Sequence, residues 1–182
     1  MINNKTVLAV IPARGGSKRC PRKNIKEFRG KPLLCWTIDA AKESKHIDMV
    51  RVSTEDSEIM SMVCNYGVLG IDRPQELATD DATNEAVCCH ALQEWSADII
   101  VLLQPTSPLR TAGDIDTCLR KVVESRFPVV SYDMNGKKNG AVYACTSEWL
   151  LAGGNFHMHY SEPYFMDVER SLDIDYEEQF NG

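Results

Sequence analysis

The 182-residue sequence has no apolar run long enough to span a bilayer, and its opening "MINNKTVLAV" lacks the charged head, long apolar core and small-residue cleavage site of a secretory leader. The expectation is therefore a cytoplasmic protein with no membrane partner. C-x-x-C pairs are missing too, so the seven cysteines read as scattered thiols, most of them small buried hydrophobes, and not as a disulfide framework or zinc site. The glycine-containing stretch "RGGSKRC" fits neither G-x-x-x-x-G-K-[ST] nor G-x-G-x-x-G, which excludes a P-loop kinase and a dinucleotide-binding fold. There is no repeat, low-complexity tract or linker. Positive charge is in deficit overall, with 20 Lys and Arg against 26 Asp and Glu, and a net charge of -6 argues against nucleic acid as a partner.

What is present is a chain with 43% hydrophobic residues, enough for one domain over 1–182 with a sizeable core. "TVLAVIP" (Thr6 to Pro12) is a β-branched and apolar run that predicts a strand buried on both faces. "KPLLCWTIDAAKES" then predicts a helix starting at Pro32, "DMVRVST" a strand, and "EDSEIMSMVCNYG" a helix stopped by Gly67. "NEAVCCHALQEW" reads as a further helix and "ADIIVLLQP" (Ala97 to Pro105) as the central strand. Thr111 and Asp114 form a near capping box for a helix running to about Ser125, followed by the strands "FPVVSY" and "NGAVYAC". The alternation predicts a three-layer α/β/α sandwich around a mainly parallel sheet.

Against the overall deficit, eight of the 20 Lys and Arg residues crowd between Arg14 and Lys31, directly after the first strand. Ligands of open α/β sheets sit outside the carboxyl ends of the strands, and this loop leaves the first strand at that edge. Gly15 and Gly16 allow a tight turn, and Arg14, Lys18, Arg19, Arg22 and Lys23 can surround an anion such as a nucleoside triphosphate. A solvated basic loop is the competing reading.

"IPARGGSKRCPRKNI", "GKPLLCWTI", "VSTEDSEI", "RPQELATDDAT", "LLQPTSPLRTAGDID", "NGAVYA" and "ERSLDID", in this order, resemble the acylneuraminate cytidylyltransferases, or CMP-sialic acid synthetases. The resemblance implies transfer of CMP from CTP to the anomeric hydroxyl of a nine-carbon keto-sugar acid, with Mg2+ and release of pyrophosphate. It also implies a nucleotide-diphospho-sugar-transferase fold, usually as a homodimer. By the same resemblance Arg14, Ser17, Lys23 and Asn24 stand at triphosphate positions, Gly15 and Gly16 supply backbone donors, and Lys23 is the main transition-state cation. Lys18, Arg19 and Arg22 are read as either helpers or solubilising charge. Arg73 matches a base-contacting arginine, and Thr83 and Asn84 match ribose contacts. Gln104 matches a position near the sugar acid. Arg110 is read as binding its carboxylate or serving structure, and Tyr164 and Phe165 resemble an aromatic pair beside the acyl group. Thr106 and Ser107 are read as satisfying loop backbone.

The stretch Asp167 to Glu178 carries six acidic residues and one Arg, mirroring the basic loop. Asp173 and Asp175, alternating around Ile174, are expected on an extended strand with both carboxylates on one side, matching the family's metal motif. His90, His157 and His159 receive no role. The sequence departs from the family near 134–140, where relatives carry a longer dimerisation excursion, and Cys20 stands where relatives commonly have Leu. The alternatives held open are a non-catalytic CTP-binding paralogue and a ketodeoxyoctonate cytidylyltransferase.

Overall fold

Along β1 (Val7–Pro12), Val7, Ala9 and Ile11 face one way and Leu8 and Val10 the other, and all five are fully buried in the computed structural model, which describes residues 1–157 and 160–181. A strand buried on both faces requires a helical layer on each side. One layer consists of α1 (Leu33–Glu43), α2 (Ser57–Asn65) and α4 (Ala112–Ser125), whose Leu34, Ile59 and Ile115 join the cluster with Val7. The other holds α3 (Asn84–Glu94) and α5 (Ser147–Leu151), with Val87 and Leu150 packed beside Leu8.

Between them lies a seven-stranded sheet in the order β5-β4-β1-β6-β8-β7-β9, with β4 (Met49–Thr54), β5 (Leu69–Asp72), β6 (Ile99–Leu102), β7 (Val129–Tyr132), β8 (Lys138–Thr146) and β9 (Glu162–Phe165). β5, β4, β1 and β6 run parallel to one another, β8 is antiparallel to both β6 and β7, and β9 is parallel to β7. The expected sandwich with a mainly parallel sheet is the fold observed. A separate hairpin of β2 (Glu27–Phe28) and β3 (Lys31–Pro32) closes the basic loop ahead of α1.

β6 is the middle strand of the seven, as its apolar run predicts, though shorter than Ala97 to Pro105. The capping box is present, Thr111 accepting from the Asp114 N–H while the Asp114 side chain accepts from the Thr111 N–H at 2.8 Å. Five of the seven cysteines are buried and all are free thiols. The segment carrying Asp173 and Asp175 is not a strand; it is irregular, and Ile174 is its buried anchor against Phe28 and Leu33. Between β7 and β8 the chain makes a tight turn, with Asp133 N–H donating to the Lys137 carbonyl and Asp133 Oδ1 accepting from the Asn135 and Lys137 N–H groups. Among the described residues no helix is long and apolar enough to cross a membrane. His159 lies outside the described residues.

Candidate nucleotide and sugar-acid site

The carboxyl ends of β5, β4, β1 and β6 reach one sheet edge because the four strands are parallel. A cleft of about 590 Å3 opens there, bounded by Pro12 and Arg14 after β1, Arg73 after β5, Gln104 and Thr106 after β6, and Asp173 and Asp175 from the C-terminal segment. Of the residues singled out in the sequence, the structure brings Arg14, Ser17, Lys23 and Asn24 to this cleft, together with Arg73, Asn84, Gln104, Asp173 and Asp175. Lys18 and Arg19 line it as well.

The basic loop is held by carboxylates from distant segments. Arg14 Nη2 lies 2.5 Å from Asp80 Oδ1 and Lys18 Nζ 2.5 Å from Asp80 Oδ2. Lys23 Nζ donates to Asp175 Oδ1 at 3.2 Å and to the Ile174 carbonyl at 3.1 Å, while Arg19 pairs with Asp175 Oδ2 at 3.0 Å. Lys26 pairs with Glu177. The acidic C-terminal stretch thus runs back along the basic loop. Arg22 is turned aside, bound to Asp56 at 2.5 Å and to Glu58, and Asn24 Nδ2 donates to the Arg14 carbonyl at 2.9 Å, stapling the loop.

The Gly15 N–H is engaged elsewhere in this arrangement. Gly15 N–H donates to Glu55 Oε1 at 2.8 Å, and a Cβ at Gly15 would lie 2.2 Å from Asp56 Oδ2, so close approach of the α2 cap requires glycine there. Neither Gly15 nor Gly16 lines the cleft.

Arg73 is only 5% exposed, and its Nε and Nη2 donate to Ser53 Oγ and the Ser53 carbonyl at 3.0 and 2.5 Å. Burial lowers its pKa to about 10. A fixed, desolvated guanidinium at the end of β5 is suited to reading acceptors on a ring. Across the cleft, Gln104 lies against Gly140, whose φ of +72° favours glycine and whose Cβ would meet Gln104 Oε1 at 2.2 Å. Ser107 Oγ donates to the Asn139 carbonyl at 2.7 Å, the structural role expected of it, whereas Thr106 lines the cleft and its carbonyl accepts from Ile174 N–H at 2.7 Å.

Four further expected contacts fall outside the cleft. Thr83 caps α3, its hydroxyl accepting from Ala86 N–H at 3.1 Å. Arg110 is 3% exposed and bonds Thr37 Oγ1 at 2.7 Å and the Gln104 carbonyl, so of its two readings the structural one is observed, and burial lowers its pKa to about 9. Tyr164 donates to the buried Asp114 Oδ1 at 2.7 Å, burial and that bond pushing its pKa up to about 12. Phe165, 53% exposed, packs on Tyr132 at 6.0 Å between ring centroids. Strand alternation on β9 sends this pair to opposite faces, away from the cleft.

Three contributors, Glu55, Asp80 and Arg170, lie inside the quoted segments but carry no role in the sequence reading. Asp80 and Glu55 act on loop residues 66 and 40 positions away, respectively. Arg170 bonds Asp114 and reaches Asp167 at 2.6 Å, tying the acidic segment to the start of α4.

Asp173 and Asp175 are the residues that could hold a divalent cation. Asp173 and Asp175 both line the cleft, and burial, with Asp175 close by, raises the pKa of Asp173, a strain that a cation relieves. Among the described residues no cluster of three or more His, Cys, Asp or Glu could hold a metal. Two carboxylates with phosphate oxygens and water are the small protein share that Mg2+ takes.

Residues 8–147 match the family model described as cytidylyltransferase. The chain is 32% identical over 205 aligned positions to the N-acylneuraminate cytidylyltransferase of Escherichia coli O18:K1:H7, covering 93% of this chain and 49% of that protein. It is 30% identical to the CMP-N,N'-diacetyllegionaminic acid synthase of Legionella pneumophila, covering 93% of this chain and 90% of that protein. It therefore spans about half the length of the first relative and nearly all of the second. Its fold is similar to that of CMP:2-keto-3-deoxy-manno-octonic acid synthetase solved with CTP, with a TM-score of 0.76, 17% identity and coverage of 94% and 93% of the two chains. With its central strands, its basic loop and the cleft residues from Pro12 to Thr106 inside the matched span, the chain belongs to the cytidylyltransferase family.

Proposed function

We propose that the chain transfers CMP from CTP to the anomeric hydroxyl of N-acetylneuraminic acid or a related nonulosonic acid of the legionaminic or pseudaminic kind, releasing pyrophosphate. The observation that carries this reading is one cleft in which Arg14 and Lys23, the carboxylates Asp173 and Asp175, and Gln104 face one another. The names of the Escherichia coli and Legionella relatives support the choice of substrate class.

In this reaction the sugar hydroxyl oxygen attacks the α-phosphorus of CTP and gives up its proton to water, while the bond from the α-phosphorus to the bridging β-phosphate oxygen breaks and that oxygen leaves with pyrophosphate. Negative charge grows on the transferring and leaving phosphates. Lys23 is already fixed by the Ile174 carbonyl and Asp175, so its charge meets the transition state with little reorganisation, and Arg14 adds a second cation at the cleft. Arg73 offers donors to the O2 and N3 acceptors of cytosine. Gln104, propped by Gly140, faces the sugar acid. Bound by Asp173 and Asp175, Mg2+ would supply charge neutralisation at the phosphate oxygens and acidify the sugar hydroxyl.

Calorimetry of CTP binding beside a pyrophosphate-release assay with a panel of nonulosonic acids and ketodeoxyoctonate tests the proposal. Turnover with a nonulosonic acid is the expected result. CTP binding without turnover on any sugar marks a non-catalytic nucleotide-binding protein, and preference for ketodeoxyoctonate moves the chain to that branch of the chemistry.

A further inference from the structure

Asp80 grips two cleft cations at once, one with each oxygen. Its Oδ1 holds Arg14 Nη2 and its Oδ2 holds Lys18 Nζ, both at 2.5 Å, and all three side chains line the cleft. A carboxylate chelated in this way presents the same acceptors, to the same donors, as two oxygens of a phosphate. An entering polyphosphate must take those donors from it.

The surroundings make that exchange cheap. Asp80 is 41% exposed, Lys18 82% and Arg14 30%, so the released groups meet water and not an apolar wall. Lys18 holds its proton more tightly and Asp80 more loosely than usual because of this bond. Arg22 differs: its partners Asp56 and Glu58 belong to the α2 start, and Arg22 is off the cleft. Asp81, next in sequence, bonds to neither Arg14 nor Lys18.

We propose that Asp80 is a built-in competitor of the nucleotide: its carboxylate holds Arg14 and Lys18 until the triphosphate arrives and takes them back as pyrophosphate leaves. It thereby sets the affinity of the cleft for substrate and product. The role rests on the CTP reading for the identity of its rival, but not for the competition itself, which any polyphosphate would enter.

The test is calorimetry on the full chain as wild type, Asp80→Asn and Asp81→Asn, titrated with inorganic tripolyphosphate without metal and, separately, with CTP in the presence of Mg2+. Asp80→Asn should bind both about two- to fivefold tighter at low ionic strength, the scale of exposed ion pairs. Asp81→Asn, which removes equal charge but no bond, should change affinity much less. The gain should shrink at about 0.5 M salt, where exposed charges are screened. Equal affinities in all three proteins, or weaker binding by Asp80→Asn, would overturn the proposal, the latter making Asp80 an orienting residue for the two cations. If tripolyphosphate behaves as expected and CTP does not bind, the CTP reading fails while the competition stands. If CTP binds all three proteins alike, the competition fails and the CTP reading stands.

Discussion

Lys23→Ala removes one of the three cations, with Arg19 and Lys26, that join the basic loop to the acidic segment. In the structure Lys23 is mostly buried, its side chain 12% exposed, and it makes one bond to the Ile174 carbonyl and one to Asp175. The fold should survive the change, because Arg19 still pairs with Asp175 and Ile174 stays buried against Phe28 and Leu33. Losing one charge-assisted bond of this kind costs folding about 1–2 kcal/mol, a fall in Tm of a few degrees for a chain of this size. Catalysis should lose more. Removal of one preorganised transition-state donor lowers kcat by on the order of a hundredfold, about 2.7 kcal/mol of barrier. Because Arg14, Lys18 and Arg19 remain at the cleft, the KM for CTP should rise only modestly. The assay is steady-state pyrophosphate release with CTP varied at saturating N-acetylneuraminic acid, with thermal melting as the folding control. A variant that keeps its kcat and loses affinity for CTP would refute the reasoning and make Lys23 a ground-state clamp.

Arg73→Ala should weaken CTP binding and relax discrimination against UTP and GTP, read as the ratio of kcat/KM values; unchanged ratios would mean that the base is read elsewhere. Asp173→Asn and Asp175→Asn should each keep the fold by circular dichroism yet need more Mg2+ for half-maximal turnover, with activity partly restored at high metal, whereas titrations superimposing on wild type would remove both from the site. Asp56→Ala should cost about 1–2 kcal/mol at pH 7, since Asp56 Oδ1 caps α2 through the Glu58 and Ile59 N–H groups and its carboxylate pairs with Arg22. Arg22 and these N–H groups hold its pKa below the ordinary carboxylate value, so this stabilisation is present above about pH 4 and is lost as pH falls through the folded-state pKa. Denaturant melts of the two proteins should therefore converge in acid, and a constant gap would contradict the ionic origin.

The sheet was legible because its strands are buried on both faces: Val7 to Ile11 and Ile99 to Leu102 are continuous apolar runs that little else explains. β5 was not, since at the sheet edge its four residues include the exposed Leu69 and a glycine. Helix starts were legible where a side chain caps its own backbone within three residues, as at Thr111. The cleft was legible in part. Lys23, Arg73, Gln104 and Asp175 reach it on motif position, but Tyr164 and Arg110 are polar groups that a core residue can satisfy equally well, and here Asp114 and Thr37 do so. The pairings of Asp80 with Arg14 and of Glu55 with Gly15 join separate crossovers and exist only once the sheet has brought them together.

The most direct measurement is 31P NMR of the full chain with CTP, Mg2+ and N-acetylneuraminic, legionaminic or pseudaminic acid. With at least one of these sugars, a phosphodiester signal of the CMP-sugar and the signal of pyrophosphate should grow in equal amounts as CTP falls, and no phosphodiester should form when the sugar is omitted. Persistent CTP with every sugar, or CMP and pyrophosphate appearing at the same rate with and without sugar, would contradict a cleft built to pass a cytidylyl group to a nonulosonic acid.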